Sequence, residues 1–369
     1  MKILYGVQGT GNGHISRARA IAKALKRHSG VDVQFLLSGR EDNGYFDMEE
    51  FGNYQTRTGM TFLTESGKVS YVKTALRSAP FTLLGDIRDL DTREYDLVVS
   101  DFEPVTAWAA KQHKTPSLSI SHQCAFSGNV PVEGESLISR MVMRHFAPTE
   151  KKLGLHWYHF GEDNILPPIV DLDPKTVPQS QDFYVVYLPF ENLDEIVSLL
   201  TRYAQRFKVF HPAVKEEREF ENVSLLRPSR DCFHQELTSC AGVMSNGGFE
   251  LPSEALFLGK KLLVKPLSGQ FEQMSNVITL GGMGLADCMD SLDPWVVRQW
   301  LDKQAAERLV FPDVAGIVAD WLVNGDRQDF TSLWQQTWSQ VRFPESVMEW
   351  IEEFEMRNEH YSSGVIPVR

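Results

Sequence analysis

The sequence predicts an α/β protein of two halves, each a parallel sheet wrapped by helices on both faces. Three observations point there. Short apolar, β-branched runs alternate with helical periodicity, the mark of strands joined by crossover helices. The alternation pauses over residues 166–178, a stretch rich in Pro, Asp and Val, and then restarts. In each half, one strand ends on glycines that lead straight into a helix. A length of 369 residues suits two domains, and 42% hydrophobic with 23% charged residues is ordinary for a globular chain. The expected division is 1–170 and 180–328, with a tail at 329–369.

Residues 2–7 form the first strand, followed by a glycine loop and a helix over 15–28. Ile15, Ala18, Ile21, Ala22 and Leu25 share one face of that helix, and Gly30 is placed to end it. Further strands are expected at 31–37, 96–100 and 117–121, with Pro104 opening a helix. The second half restarts with a strand at 183–188. The helix after it carries Ile196, Leu199, Leu200, Tyr203 and Phe207 inward. Strands at 208–210, 223–226, 241–244 and 261–264 follow. The tail holds Trp334, Trp338, Phe343, Trp350 and Phe354, which need a surface to pack on, and packing back across the linker provides one.

Composition excludes some partners. A formal net charge of −12 disfavours nucleic acid, which needs clustered Lys and Arg. The first strand is too short for a signal-peptide core, and no run approaches roughly 18 apolar residues. The expectation is a cytoplasmic protein whose membrane association is peripheral at most. Cys124, Cys232, Cys240 and Cys288 have no CxxC spacing and read as reduced, buried thiols.

Two glycine loops carry the chemistry. The first, Gly9-Thr10-Gly11-Asn12-Gly13-His14, sits at the carboxyl end of the first strand, where doubly wound sheets bind ligands. It departs from a dinucleotide fingerprint, because the third glycine is replaced by His14 and the second strand ends in Ser38-Gly39-Arg40 without an acid. His14 is instead placed as a general base. Asp101, ending the strand of Leu97-Val98-Val99, emerges at the same sheet edge and can orient it; capping the helix at Pro104 is the competing role. The second loop is Asn246-Gly247-Gly248, where a strand stops and a helix begins. Fresh helix N–H groups there can receive phosphate, Glu254 lies within reach of a ribose, and Glu272-Gln273 open the next helix. His122-Gln123 closes a strand and should face the same cleft, touching acceptor or donor, or serving structure.

Together these motifs resemble the GT-B glycosyltransferases of families 1 and 28. Gly248 and Glu254 have the spacing of that donor signature, as do Gly259, the strand ending at Pro266, Glu272-Gln273 and Asn276. Gly13-His14 resembles the Gly-His loop whose His deprotonates the acceptor hydroxyl, and Asp101 the acid that holds it. The loop Gly6-Val7-Gln8-Gly9-Thr10-Gly11-Asn12-Gly13-His14 also resembles that of a bacterial and archaeal group of GT-B proteins. The resemblance implies two Rossmann-like doubly wound domains facing across a cleft, with a C-terminal helix crossing back to the first. It implies an inverting, metal-independent hexosyl transfer from a nucleotide sugar, UDP-sugar first, to an acceptor hydroxyl. His14 and Asp101 are then catalytic, and Gly11, Gly13, Asn246, Gly247, Gly248, Glu254, Glu272 and Gln273 hold the donor. No cofactor or metal is implied, and the acceptor is a glycan, lipid carrier or small molecule.

The sequence departs from the signature in two places. Asn246 stands where the family has His, and Glu250-Leu251 replace the Asn and Ser that touch phosphate, so Glu250 must point away or be compensated. Asp89-Leu90-Asp91 and Asp171-Leu172-Asp173 have the spacing of a divalent site but read as solvated caps or turns. His156 and His159 suit an aromatic-packed strand. The loops 40–73 and 124–143 are expected to shape the acceptor pocket, and Arg77, Arg88, Arg140 and Arg144 are read as scattered surface charges. A GT-B-fold nucleotide-sugar epimerase and a non-catalytic nucleotide-sugar-binding protein are the alternatives.

Overall fold

The computed structural model describes residues 1–40, 45, 47–60, 64–65, 68–69, 80–173 and 176–362. The first sheet uses strands β1 (Lys2–Gln8), β2 (Asp32–Ser38) and β3 (Gln55–Arg57). After a small hairpin, β4 (Thr64–Glu65) and β5 (Lys68–Val69), it continues with β6 (Leu97–Asp101), β7 (Ser117–Ser121), β8 (Lys151–Leu155) and β9 (Ile165–Leu166). Its order is β3-β2-β1-β6-β7-β8-β9, parallel throughout, with Tyr5 opposite Phe35 on one side and Val99 on the other. The helices are α1 (Asn12–Leu25), α2 (Pro80–Asp89), α3 (Pro104–His113), α4 (His122–Ala125) and α5 (Leu137–His145).

Alternation along β1 explains the layering. Ile3, Tyr5 and Val7 pack under Ala18, Ile21, Ala22 and Leu25 of α1, whereas Leu4 turns to the opposite face with Ile87, Leu90, Val105 and Ala109. Chain order reverses between β1 and β6, so the crevice at their carboxyl ends is a topological switch point.

The second sheet repeats the plan. Its strands are β10 (Tyr184–Tyr187), β11 (Phe207–Phe210), β12 (Arg218–Phe220), β13 (Val223–Leu226), β14 (Gly242–Asn246), β15 (Lys261–Lys265) and β16 (Asp287–Cys288). They run in the order β12-β13-β11-β10-β14-β15-β16, and only β12 is antiparallel. The helices are α6 (Leu193–Leu200), α7 (Arg230–Ser239), α8 (Glu250–Phe257), α9 (Phe271–Gly282) and α10 (Pro294–Asp302). Val186, Met244 and Leu263 meet Ile196, Leu199 and Trp300 on one face; Val243 and Val264 meet Ala255 and Leu256 on the other.

After α11 (Val314–Asn324) come α12 (Thr331–Trp338) and α13 (Glu345–Ser362). These carry the tail back to the first sheet. The Trp338 indole N–H donates to the Ile165 carbonyl at 2.7 Å, and the Tyr158 hydroxyl donates to Glu355 at 2.5 Å. The rings of Trp338, Phe343, Trp350 and Phe354 pack edge-on around Tyr158. Among the described residues no helix is long and apolar enough to cross a membrane.

Several expectations are corrected. Helix α6 stops at Leu200, and Phe207 opens β11 instead of lining a helix. Residues 156–160 form a turn after β8, with His156 buried among aromatic rings. Of the cysteines, Cys124 and Cys240 are buried, whereas Cys232 and Cys288 are only partly so. Asp171 is no solvated turn: its side chain is 3% exposed and accepts from Lys23 at 2.7 Å and Arg230 at 2.9 Å. Asp91 does bind the exposed Arg93 at a solvated turn. Arg88 and Arg140 each pair with a neighbouring acid, while Arg77 and the loop segments 41–44, 46, 61–63, 66–67 and 70–73 lie outside the described residues.

Candidate active site

A cavity of about 460 Å³ opens where the carboxyl ends of the two sheets face one another. The loop after β1, the end of β6, the loop after β14 and the start of α9 meet there. Gly11 is the N-cap of α1, and His14 and Arg17, three residues apart, lie on one helical face.

The first half contributes a charged triad. His14 Nδ1 lies 2.8 Å from Asp101 Oδ1. Arg17 grips the same carboxylate twice, Nε to Oδ2 at 2.9 Å and Nη2 to Oδ1 at 2.7 Å. Burial alone would raise the Asp101 carboxyl, but the charge of Arg17, with His14 and the hydrogen bonds from both, outweighs it and holds Asp101 below the usual carboxylate range. Arg17 Nη2 also lies 3.0 Å from His14 Nδ1. Since an ionised Asp101 can only accept, the tautomer that pairs with it carries its proton on Nδ1 and its lone pair on Nε2. The capping role falls to Glu103, which accepts from the N–H groups of Val105 at 2.8 Å and Thr106 at 2.7 Å. Asp101 is therefore free to serve the histidine.

The second half contributes the loop and two buried acids. A Cβ on Gly247 would meet the Gln273 carbonyl and Val277 at 2.8 Å, so this glycine serves helix packing. A Cβ on Gly248 would meet nothing within 4 Å, which leaves its backbone open to the cleft. Phe249 caps α8 with no side-chain oxygen, so the first N–H groups of the helix lack a side-chain partner. Asn246 Nδ2 donates to the Lys265 carbonyl at 3.2 Å, while its Oδ1 is buried without a partner. Glu254 is 4% exposed and lines the cavity. Burial, with Glu250 and Asp171 nearby, pushes its pKa up to about 8 against the pull of Arg230 and Arg19.

The remaining sequence-predicted residues tie the halves together. Gln123 Nε2 donates to Glu272 Oε2 at 2.9 Å. His122 Nδ1 lies 2.8 Å from the Leu155 carbonyl and Nε2 2.6 Å from Asn276 Oδ1, with the ring stacked on Phe249 at 4.0 Å. Both ring nitrogens are engaged, so His122 acts here as a bridge. Gln273 Oε1 accepts from the Leu267 N–H at 2.9 Å and shapes the loop before α9. A Cβ on Gly13 would lie 2.8 Å from Glu250 Cγ, so its small size admits a side chain of the opposite half.

Sequence reasoning missed Arg17. Its Nη1 donates to Glu250 Oε1 across the cleft, so Glu250 is compensated as its position requires. The His14-x-x-Arg17 spacing was the available signal. It also missed Arg19, 3% exposed, and Arg230, which flank Asp171 beside Glu254.

Glu250, pushed up to about 8 by burial like Glu254, joins it in a stability prediction. A carboxyl whose folded pKa is raised binds more protons folded than unfolded, so stability falls as pH climbs from the unfolded value toward the folded one. The ligand-free protein is expected to melt at lower temperature at pH 8 than at pH 5.5, with Glu254→Gln reducing the drop; a flat profile counts against the buried acids.

A sequence profile of glycosyl transferase family 1 matches residues 1–304. No curated protein matches the chain. Among solved structures, the kitacinnamycin glycotransferase is 15% identical, covering 91% of this chain and 95% of its own, with a TM-score of 0.58. CalG4, the calicheamicin glycosyltransferase, is 15% identical with 99% of both chains covered and a TM-score of 0.55. UGT89C1 of Arabidopsis thaliana, solved with UDP, is 12% identical, covering 96% of this chain and 99% of its own, with a TM-score of 0.53. Their shared architecture is the GT-B fold, two α/β sheets meeting at a cleft. With more than half its length matched by the profile and its fold shared with these enzymes, the chain belongs to glycosyl transferase family 1.

Proposed function

We propose that the protein transfers a sugar, with inversion and without a metal ion, from a nucleotide sugar to an acceptor hydroxyl, and that UDP is the nucleotide. The observation that carries this reading is the His14–Asp101 pair facing the uncapped start of α8 across one cavity. His14 Nε2 takes the acceptor proton as the oxygen attacks the anomeric carbon. Asp101 holds the ring and stabilises the imidazolium that forms. The leaving diphosphate departs on the opposite side of that carbon, where the backbone of Gly248 and the first N–H groups of α8 receive its charge. Attack opposite the leaving group inverts the centre. Glu254 accepts from ribose hydroxyls, and Glu272 and Gln273 lie where the transferred sugar would sit. The plant relative solved with UDP supports the choice of nucleotide.

Thermal shift with a nucleotide panel tests the donor site. UDP at about 100 times its Kd adds roughly 2.7 kcal/mol of stability, and Glu254→Ala is expected to abolish the shift. Stabilisation by no nucleoside diphosphate, or an unchanged shift in Glu254→Ala, sinks the assignment. Transfer is expected to persist in excess EDTA.

A further inference from the structure

We propose that Glu250 is a proton-coupled gate on the donor site: as a carboxylate it pairs with Arg17 across the cleft, and a nucleoside diphosphate docking beside it converts it to the neutral acid. The proposal rests on the donor reading above and concerns a residue that reading gave no role.

The placement of Glu250 carries the inference. It lies in the first turn of α8, two residues after Gly248, and is 8% exposed. One oxygen accepts from Arg17; the other, Oε2, is buried without a partner. Its side chain fills the space left by Gly13, so it supports the first turn of α1, which bears His14. The groups facing it are Arg17 from α1, Asp101 from β6, Tyr5 from β1 and Glu272 from α9, with Glu254 one turn along its own helix. Of these only Arg17 is a permanent cation, and Asp101 takes two of its N–H groups; His14, also on α1, is bonded to that same Asp101.

Two carboxyls, Asp101 and Glu250, thus share one guanidinium before any ligand arrives. A diphosphate adds negative charge at the same helix start. Like charge disfavours the ionised acid, so Glu250 takes a proton from solvent as the anion binds. The neutral acid has an O–H on the otherwise orphaned Oε2 and can donate it to a phosphate oxygen. Arg17 keeps its hold on Asp101, so occupation of the donor site leaves the histidine's partner in place.

The sign and the window follow. Glu250 is pushed up to about 8 by burial, against Arg17 and with Asp101. Bound anion raises it further, so the proton is taken up in the range above pH 8, where the ligand-free carboxyl is ionised. Glu254 works the other way: ribose hydroxyls favour its charged form, and its release falls below pH 8. The terminal phosphate of UDP ionises near pH 6, below both.

Titration calorimetry with UDP, in two buffers of different ionisation enthalpy at pH 8–9.5, reads the uptake. Wild type is expected to take up close to one proton more than Glu250→Gln, and its Kd to weaken by up to about tenfold per pH unit. Glu250→Gln gives a flat Kd in that window, and Glu250→Asp, which retains a carboxyl, keeps the uptake. Equal uptake in wild type and Glu250→Gln overturns the proposal while leaving the donor reading intact. If Glu250→Gln does not fold, a wild-type Kd that is constant above pH 8 overturns it. Failure of UDP to bind at any pH overturns the donor reading and the gate together.

Discussion

Replacing His14 with Ala is expected to lower kcat for sugar transfer by about 10²–10⁴-fold while UDP binding stays near the wild-type value. The split between the two readouts is the informative part. His14 belongs to the first half of the molecule, and the nucleotide is assigned to the second. Its side chain is 15% exposed and hydrogen-bonded through Nδ1 to a buried carboxylate, so its loss leaves a small vacancy at the cavity wall, not in the core. A loss of kcat with an unchanged UDP-induced melting shift places His14 in the chemical step. Parallel loss of both would make it a part of the donor pocket, and loss of neither would return the protein to the class of non-catalytic nucleotide-sugar binders.

Arg17→Ala is expected to have the largest effect on stability. Arg17 is 2% exposed and Asp101 fully buried, and the pair is joined by two hydrogen bonds. Removing one partner of a buried ion pair leaves the other charge uncompensated, which costs about 3–5 kcal/mol. The loss is checked by denaturant titration against wild type. The mechanism makes a sharper demand on the double variant. Asp101→Asn removes the charge that Arg17 neutralises, so Arg17→Ala combined with Asp101→Asn should lose less than the sum of the two single losses. Strict additivity would mean that Arg17 matters through packing alone.

Legibility differed from residue to residue for physical reasons. Strands β7 and β13 were readable because each starts just after a breaker, Pro116 and Asn222 respectively, and carries β-type apolar residues, Leu118 and Ile120 between serines in the one and Val223, Leu225 and Leu226 in the other. Helix α3 was readable from Pro104, although its cap was not, since Asp101 and Glu103 are chemically alike and only the backbone path decides which one reaches the free N–H groups. Antiparallel β12 was missed because Arg218–Phe220 is polar and pairs along a single edge. The site was legible as two glycine loops and one histidine. Arg17, Arg19 and Asp171 were not, because periodicity assigns charged residues to solvent, and their burial is repaid only by partners that the fold brings from distant positions. Asp171 shows it well: its partners Lys23 and Arg230 come from either side of the linker, one from each half of the molecule.

The return of the tail has a consequence for biosynthesis. Tyr158 and Ile165 sit in the first half, yet their hydrogen-bond partners Glu355 and Trp338 lie 197 and 173 residues downstream. When the first sheet has left the ribosome, the aromatic shelf beside β9 therefore stands open, and it stays open while the whole second half is translated. At elongation rates of about 5–20 residues per second that interval lasts roughly ten to forty seconds. The nascent first half must bridge it with an uncovered ring cluster, which makes this shelf an exposed apolar surface on the unfinished chain.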